Sequence, residues 1–247
     1  MKTWLCVLGA CLLAGLSPAS LSAQSRRVQY GNQQWFQAYL RADLNQGWVM
    51  LADGGYRFRS AFAEPSQYLI RVAGGYQFPQ GIRLSTGMAQ LGFMGDGELY
   101  RLEWRSHQEV SWHQSWRKWR LSHRFRTEQR YFLTPEAGGW QHPQSLVYRH
   151  RYRLLLKIPL GSQERRRWLV QLGDELLLQT GSGILHRFFS QNRGLLGIGW
   201  KGPEGLALTA TYSHQFTAKR QVGQYVQTYI AWIGIRYRWK VFDQPAK

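Results

Sequence analysis

Residues 98–113 read Glu-Leu-Tyr-Arg-Leu-Glu-Trp-Arg-Ser-His-Gln-Glu-Val-Ser-Trp-His. Tyr100, Leu102, Trp104, Val110 and Trp112 share one parity, whereas Arg101, Glu103, Arg105, His107, Glu109 and His113 share the other. Successive side chains of a strand point to opposite faces, so this stretch is a strand with one oily and one charged face. A helix would scatter the same charges around its circumference and leave no apolar stripe.

The pattern repeats outward from there. In 119–131, Trp119, Leu121, Phe125 and Tyr131 oppose Arg120, Arg124, Arg126, Glu128 and Arg130, with His123, Thr127 and Gln129 interrupting the apolar face. In 146–158, Tyr148, Tyr152, Leu154, Leu156 and Ile158 oppose Arg149, Arg151, Arg153 and Lys157. Residues 68–78 alternate in the same way. Each run supplies the roughly 9–11 residues that a tilted strand needs to cross a bilayer. Further strands are expected at 34–42, 47–59, 81–91, 167–179, 194–201, 205–216 and 225–240, the last divided by a bulge if the count is to reach twelve. Pro79-Gln80-Gly81, Gly95-Asp96-Gly97, Gly161-Ser162-Gln163 and Gly202-Pro203-Glu204-Gly205 supply turns, and 134–145 and 181–192 form longer connections.

These readings predict an all-β fold, a single antiparallel up-and-down transmembrane β-barrel of about 10–12 strands. Closure is required because lipid cannot satisfy a free sheet edge. The alternative is a soluble, lipocalin-like periplasmic binding barrel with the oily face inward. Strand length and the tryptophans near strand ends, such as Trp48, Trp168, Trp200 and Trp239, favour the membrane, where aromatic residues gather at the interfaces.

The N-terminus points to export. Lys2, the apolar run Leu5–Leu16, the break at Ser17-Pro18 and the small residues Leu21-Ser22-Ala23 have the order of a signal peptide over residues 1–23, leaving 24–247 as the barrel domain. The apolar run is too short for a membrane-spanning helix, and no later stretch approaches the length of one. Both cysteines, Cys6 and Cys11, fall inside this segment, which excludes disulfides and thiol chemistry from 24–247. Lipidation at Cys11 is disfavoured because the apolar run continues past it as Leu12-Leu13.

The net charge of +18, or +17 once Lys2 is removed, raises the question of nucleic acid. The basic residues alternate with lipid-type residues instead of forming a tail, and export argues against a cellular nucleic-acid role. The expected partners are outer-membrane lipid and lipopolysaccharide phosphates at the rim, with anionic solutes in the lumen. Oligomeric state is not legible.

The residues singled out form a lumen charge cluster: Arg124, Arg126, Glu128 and Arg130 on one strand, Arg149, Arg151 and Arg153 on its neighbour, with Glu175 and Arg193. Directly opposite side chains of adjacent strands lie about 5 Å apart. Glu128 is therefore expected to be the central acceptor for arginines from both strands, with Glu103, Glu109 and Glu175 as further partners. Catalysis would need a serine, a histidine and an acid near the rim. Among His107, His113, His123, His150, His186 and His214, only His113 shares a face with a nearby serine, Ser111, beside Glu109. A hydrogen-bonded lumen cluster is the preferred reading of those three residues, so no catalytic residue is assigned. No metal site or cofactor is expected either: His107 and His113 lie about 20 Å apart along a strand, and Gly181-Ser182-Gly183 lacks the helix start of a phosphate loop.

The order of landmarks resembles a known family. Arg124-Phe125-Arg126-Thr127-Glu128-Gln129-Arg130-Tyr131 is similar to the central Arg-x-Glu-x-Arg strand of the domain of unknown function 2490 family, and Tyr148–Leu154 to its next strand. Asp174-Glu175 and Phe188-Phe189-Ser190-Gln191-Asn192-Arg193 follow in the same order, and the resemblance spans about 33–240. It implies an exported outer-membrane barrel and assigns no activity. The functional expectation is a non-enzymatic outer-membrane barrel with an arginine-rich lumen, either structural or a narrow anion-favouring conduit. A lipid-modifying barrel enzyme is the alternative.

Overall fold

The computed structural model describes residues 27–136, 139–141, 146–161, 167–181, 188–219 and 221–241. The signal peptide expected at 1–23 and His186 lie outside the described residues. The strands are β1 (Arg27–Asp43), β2 (Trp48–Arg59), β3 (Glu64–Gln77), β4 (Arg83–Gly95), β5 (Glu98–Trp116), β6 (Trp119–Glu136), β7 (Gly139–Gln141), β8 (Val147–Pro159), β9 (Trp168–Thr180), β10 (Phe189–Lys201), β11 (Leu206–Ala218) and β12 (Gln224–Lys240).

Eleven of them close into one barrel. Each strand pairs antiparallel with the next around the wall, except that β6 pairs directly with β8. The short β7 only folds back on the end of β6, at Thr134–Glu136, as a projection beyond the wall. The ring is closed by β1 and β12, which run parallel from Arg27 opposite Gln224 to Asp43 opposite Lys240. Parity explains this departure from an all-antiparallel barrel. When each strand reverses the last, the first and the eleventh must point the same way. Bacterial outer-membrane barrels formed by one chain ordinarily have even strand numbers. The expected bulge in the last strand is absent, and β12 runs unbroken for 17 residues.

The sides of the wall are assigned as their parity demands. Glu103, Glu128 and Glu175 are 0–2% exposed and face inward, whereas Met50, Ile70 and Leu196 are more than half exposed on the outside. The outer surface carries Leu84, Met88, Phe125, Leu172, Ile198, Leu208, Ile233 and Ile235, with Trp48, Trp116, Trp119, Trp168, Trp200 and Trp239 towards the C-terminal rim. The polar interruptions of this apolar surface are hydrogen-bonded between strands. Ser106 Oγ donates to Gln129 Oε1 at 2.9 Å, and Thr127 Oγ1 lies 3.2 Å from His150 Nδ1. His123 stacks on Trp112 with its Nδ1 2.8 Å from the Tyr152 hydroxyl. Such pairing lowers the cost of polar groups in apolar surroundings.

Turn chemistry follows the sequence. Asp96 (φ 51°) and Gly97 (φ 81°) make the two-residue turn between β4 and β5, in which both residues take the left-handed conformation that the strand twist favours. The connections expected at 134–145 and 181–192 are shorter than read, because β6 continues to Glu136 and β10 begins at Phe189. Inside, the wall at β3 and β4 is thin. A Cβ on Gly87 would stand 2.2 Å from the Val72 carbonyl oxygen and 2.5 Å from the Ala73 Cβ. Small inward residues here leave volume for long side chains from the other walls.

Candidate functional site: the charged lumen

The inward faces of β5, β6, β8, β9 and β10 carry a network of guanidinium and carboxylate groups. Glu128 on β6 lies opposite Arg149 on β8 and accepts from Arg149 Nε at 2.8 Å. It also accepts from Arg151 Nη1 at 2.8 Å. Arg151 turns its other terminal nitrogen, Nη2, to Glu175 Oε1 on β9, again at 2.8 Å. Glu175 binds Arg193 Nη1 of β10 at 3.0 Å and also accepts from Arg124 of β6. Arg193 continues to Gln215 Oε1 on β11 at 2.7 Å. One chain of charge-assisted hydrogen bonds thus crosses five neighbouring strands.

A second set lies on β5. Glu109 accepts from Arg126 Nε at 2.8 Å and from Arg83 Nη2 at 3.3 Å. Glu103 accepts from Arg105 Nη2 at 2.8 Å and Arg130 Nη2 at 3.2 Å. The barrel interior therefore collects the cluster residues Arg124, Arg126, Glu128, Arg130, Arg149, Arg151, Glu175 and Arg193 into ion pairs. Arg153 shares their face but has no ion pair among the described residues.

The distribution of acceptors differs from the expectation at Glu128. Its hydrogen bonds come from β8 alone, while Arg126 Nη1 of its own strand and Arg105 Nη1 of β5 stand only at ion-pair distance, 3.9 and 4.0 Å. The β6 arginines reach sideways instead: Arg126 and Arg130 to β5, Arg124 to β9. Sequence reasoning missed the pair on β2 and β3, where Asp53 accepts from Arg71 Nε and Nη2 at 2.7 and 2.9 Å. Its only signal was inward parity, since each residue stands alone among glycine and apolar neighbours.

The structure does not bring Ser111, His113 and Glu109 together as a hydrogen-bonded triad. The Glu109 carboxylate, which would orient His113, is held by Arg126 and Arg83, and His113 lies beside the β3–β4 turn at Gly81. Neither Ser111 nor His113 makes a side-chain hydrogen bond among the described residues. Among those residues no group of three or more histidine or acidic side chains is arranged to hold a metal ion.

The inward charges are not balanced along the barrel. Down β8, Arg149 and Arg151 have carboxylate partners, whereas Arg153 and Lys157 have none among the described residues. Lys157 borders a cavity of about 290 Å³ at the C-terminal rim, together with Arg120, Lys201 and Arg236. The Arg236 guanidinium lies 4.9 Å from the centre of the Tyr39 ring.

We found no curated protein that matches the chain in sequence. Among solved structures, the β domain of the Bordetella autotransporter Brka aligns with 78% of this chain and 81% of its own length, at 14% identity and a TM-score of 0.43. The family model for proteins of unknown function DUF2490 matches residues 32–226, and the chain belongs to that family.

Proposed function

We propose that this protein is an exported outer-membrane barrel that is non-enzymatic, and that its ion-pair network closes the lumen and braces the wall. The observation that carries this reading is the inverted burial: Glu128 and Glu175 are 2% exposed while Ile70 is 57% exposed in a continuous apolar outer surface. An apolar surface that wraps a whole barrel is far larger than a soluble monomer tolerates, whereas hydrocarbon is its natural solvent. The near-complete burial of the network argues for a filled interior, as expected for small barrels.

Two measurements test the reading together. The protein should fractionate with outer membranes, begin at Gln24, and migrate faster on gels before boiling than after. Recovery as a carbonate-soluble periplasmic protein would overturn it. In planar bilayers the parent protein should give no steady conductance. Reproducible anion-selective steps would favour instead a narrow conduit, the reading that the excess of inward cations supports.

A further inference from the structure

We propose that the C-terminal mouth of the barrel is a binding site for a phosphate-type dianion, held by Lys157 and Arg236 with Arg120 and Lys201 at its edge. The inference goes beyond the membrane role and shares with it only the inward assignment of the charged face. Four strands deliver these groups to one cavity of about 290 Å³: Arg120 from β6, Lys157 from β8, Lys201 from β10 and Arg236 from β12. Gln171 and Thr209 add neutral hydrogen-bonding groups to the lining.

The register supports convergence. Arg120 lies opposite Lys157, Lys201 opposite Ala207, and Ala207 opposite Arg236. The inward residue between Lys157 and Lys201 on β9 is Gln171, and Gly199 beside it carries no side chain to fill the space. A Cβ on Gly199 would stand 3.3 Å from the Gln171 amide nitrogen and 3.0 Å from Leu169.

Charge makes the argument specific. Elsewhere in the lumen the ion-paired arginines bracket carboxylates, as Arg149 and Arg151 bracket Glu128. Here these four cations meet, with Arg117 and Lys118 of the β5–β6 turn beside them, and no carboxylate is among the described lining residues. Of the acidic side chains at this rim, Asp43 is held by Arg41 and Arg238, and Glu204 sits exposed in the β10–β11 turn outside the cavity lining. Arg236 is fixed over Tyr39, and its buried Nε has no hydrogen-bond partner among the described residues. Like charges held together at a partly buried mouth destabilise the empty protein, and a multivalent anion relieves that repulsion. Phosphate fits because guanidinium offers a planar donor pair and lysine a compact charge for its oxygens. The phosphate can belong to a soluble ligand or to a lipid headgroup at the rim.

The test uses the full mature chain folded in a non-ionic detergent, with inorganic pyrophosphate as probe at constant ionic strength. The melting temperature of the unboiled form should rise saturably with pyrophosphate. Lys157→Gln and Arg236→Gln should each weaken that dependence by about tenfold or more, since a hydrogen bond to a charged group is of that order. Without the anion neither variant should melt below the parent, because each removes a repelled charge. Lys157→Arg should keep binding, and Arg101→Gln at the opposite rim should leave it unchanged. No saturable effect in the parent, or the same effect in parent and both Gln variants, overturns the proposal. The unboiled band reports separately whether the barrel has formed. Competition by phosphatidic acid in mixed micelles, lost in the same variants, identifies a headgroup as occupant; pyrophosphate binding without such competition identifies a soluble ligand.

Discussion

Arg149 faces Glu128 across the β6–β8 pair and donates its Nε to Glu128 Oε2 at 2.8 Å, with both side chains less than a tenth exposed. Neither charge has water to fall back on, and Glu128 is the one carboxylate that Arg149 binds among the described residues. Removing one partner of such a buried pair typically costs about 3–5 kcal/mol. Glu128→Ala should therefore convert the fast-migrating form at a clearly lower temperature than the parent, and Glu128→Gln should do so less severely because it keeps the shape and one acceptor. If Glu128→Ala melts like the parent, the network does not brace the barrel.

Facing can be read chemically. Cysteines placed at Leu102, Phe125 or Leu154 should react with a lipid-phase thiol reagent, and cysteines at Arg101, Arg126 or Arg153 should not. The two sets alternate along the same strands, so local accessibility of a strand end cannot account for the contrast. A reversed pattern would mean that the oily face points inward and that the barrel is of the soluble kind.

The register of the parallel seam can be read by cross-linking. Ala38 on β1 lies directly opposite Ile235 on β12, and both face outward. Paired residues of adjacent strands sit within the Cα separation of about 4.4–6.8 Å that a disulfide spans. The double variant Ala38→Cys, Ile235→Cys should cross-link on mild oxidation, whereas Tyr30→Cys with Ile235→Cys should not. Efficient cross-linking of the second pair alone would overturn the parallel register of β1 against β12.

The thin wall at β4 should resist any side chain. Gly87 faces inward against the β3 backbone, with the Val72 carbonyl and Ala73 where a Cβ would go. Gly87→Ala should lower the melting temperature by an amount corresponding to about 1–3 kcal/mol, the usual cost of overpacking. An unchanged melting curve would show that the β3–β4 wall yields outward at little cost.

Much of the fold was legible in residues such as Tyr100–Trp104 and Arg149–Arg153, because alternation is a local property of the pleated backbone. Two-residue turns such as Asp96-Gly97 were legible for the same reason, since the demand for left-handed conformations falls on the turn residues themselves. Residues 27–33 were not legible as strand. Their alternation stops after Val28 and Tyr30 at Gly31-Asn32-Gln33, and they become part of β1 by pairing with β12 from Arg27 onward.

Pairing of charges was legible only in part. Parity put Glu103, Glu109, Glu128 and Glu175 on the same side as the arginines, but it could not choose partners. That choice depends on register between strands and on guanidinium groups that reach past their nearest neighbour, as Arg124 does in binding Glu175 across β8. The missed Asp53–Arg71 pair shows the same limit, since nothing along either strand marks them as partners.

By itself, then, the sequence determined an alternating all-β chain, its turn positions, its family and the charged identity of one face, because each is written in neighbouring residues. The tertiary structure alone decided the odd strand number with its parallel seam, the partner of each arginine, and the meeting of Arg120, Lys157, Lys201 and Arg236 at one mouth. The physical reason is that these depend on closing a ring. Side chains far apart in sequence share an interior only once the register around the whole wall has been set.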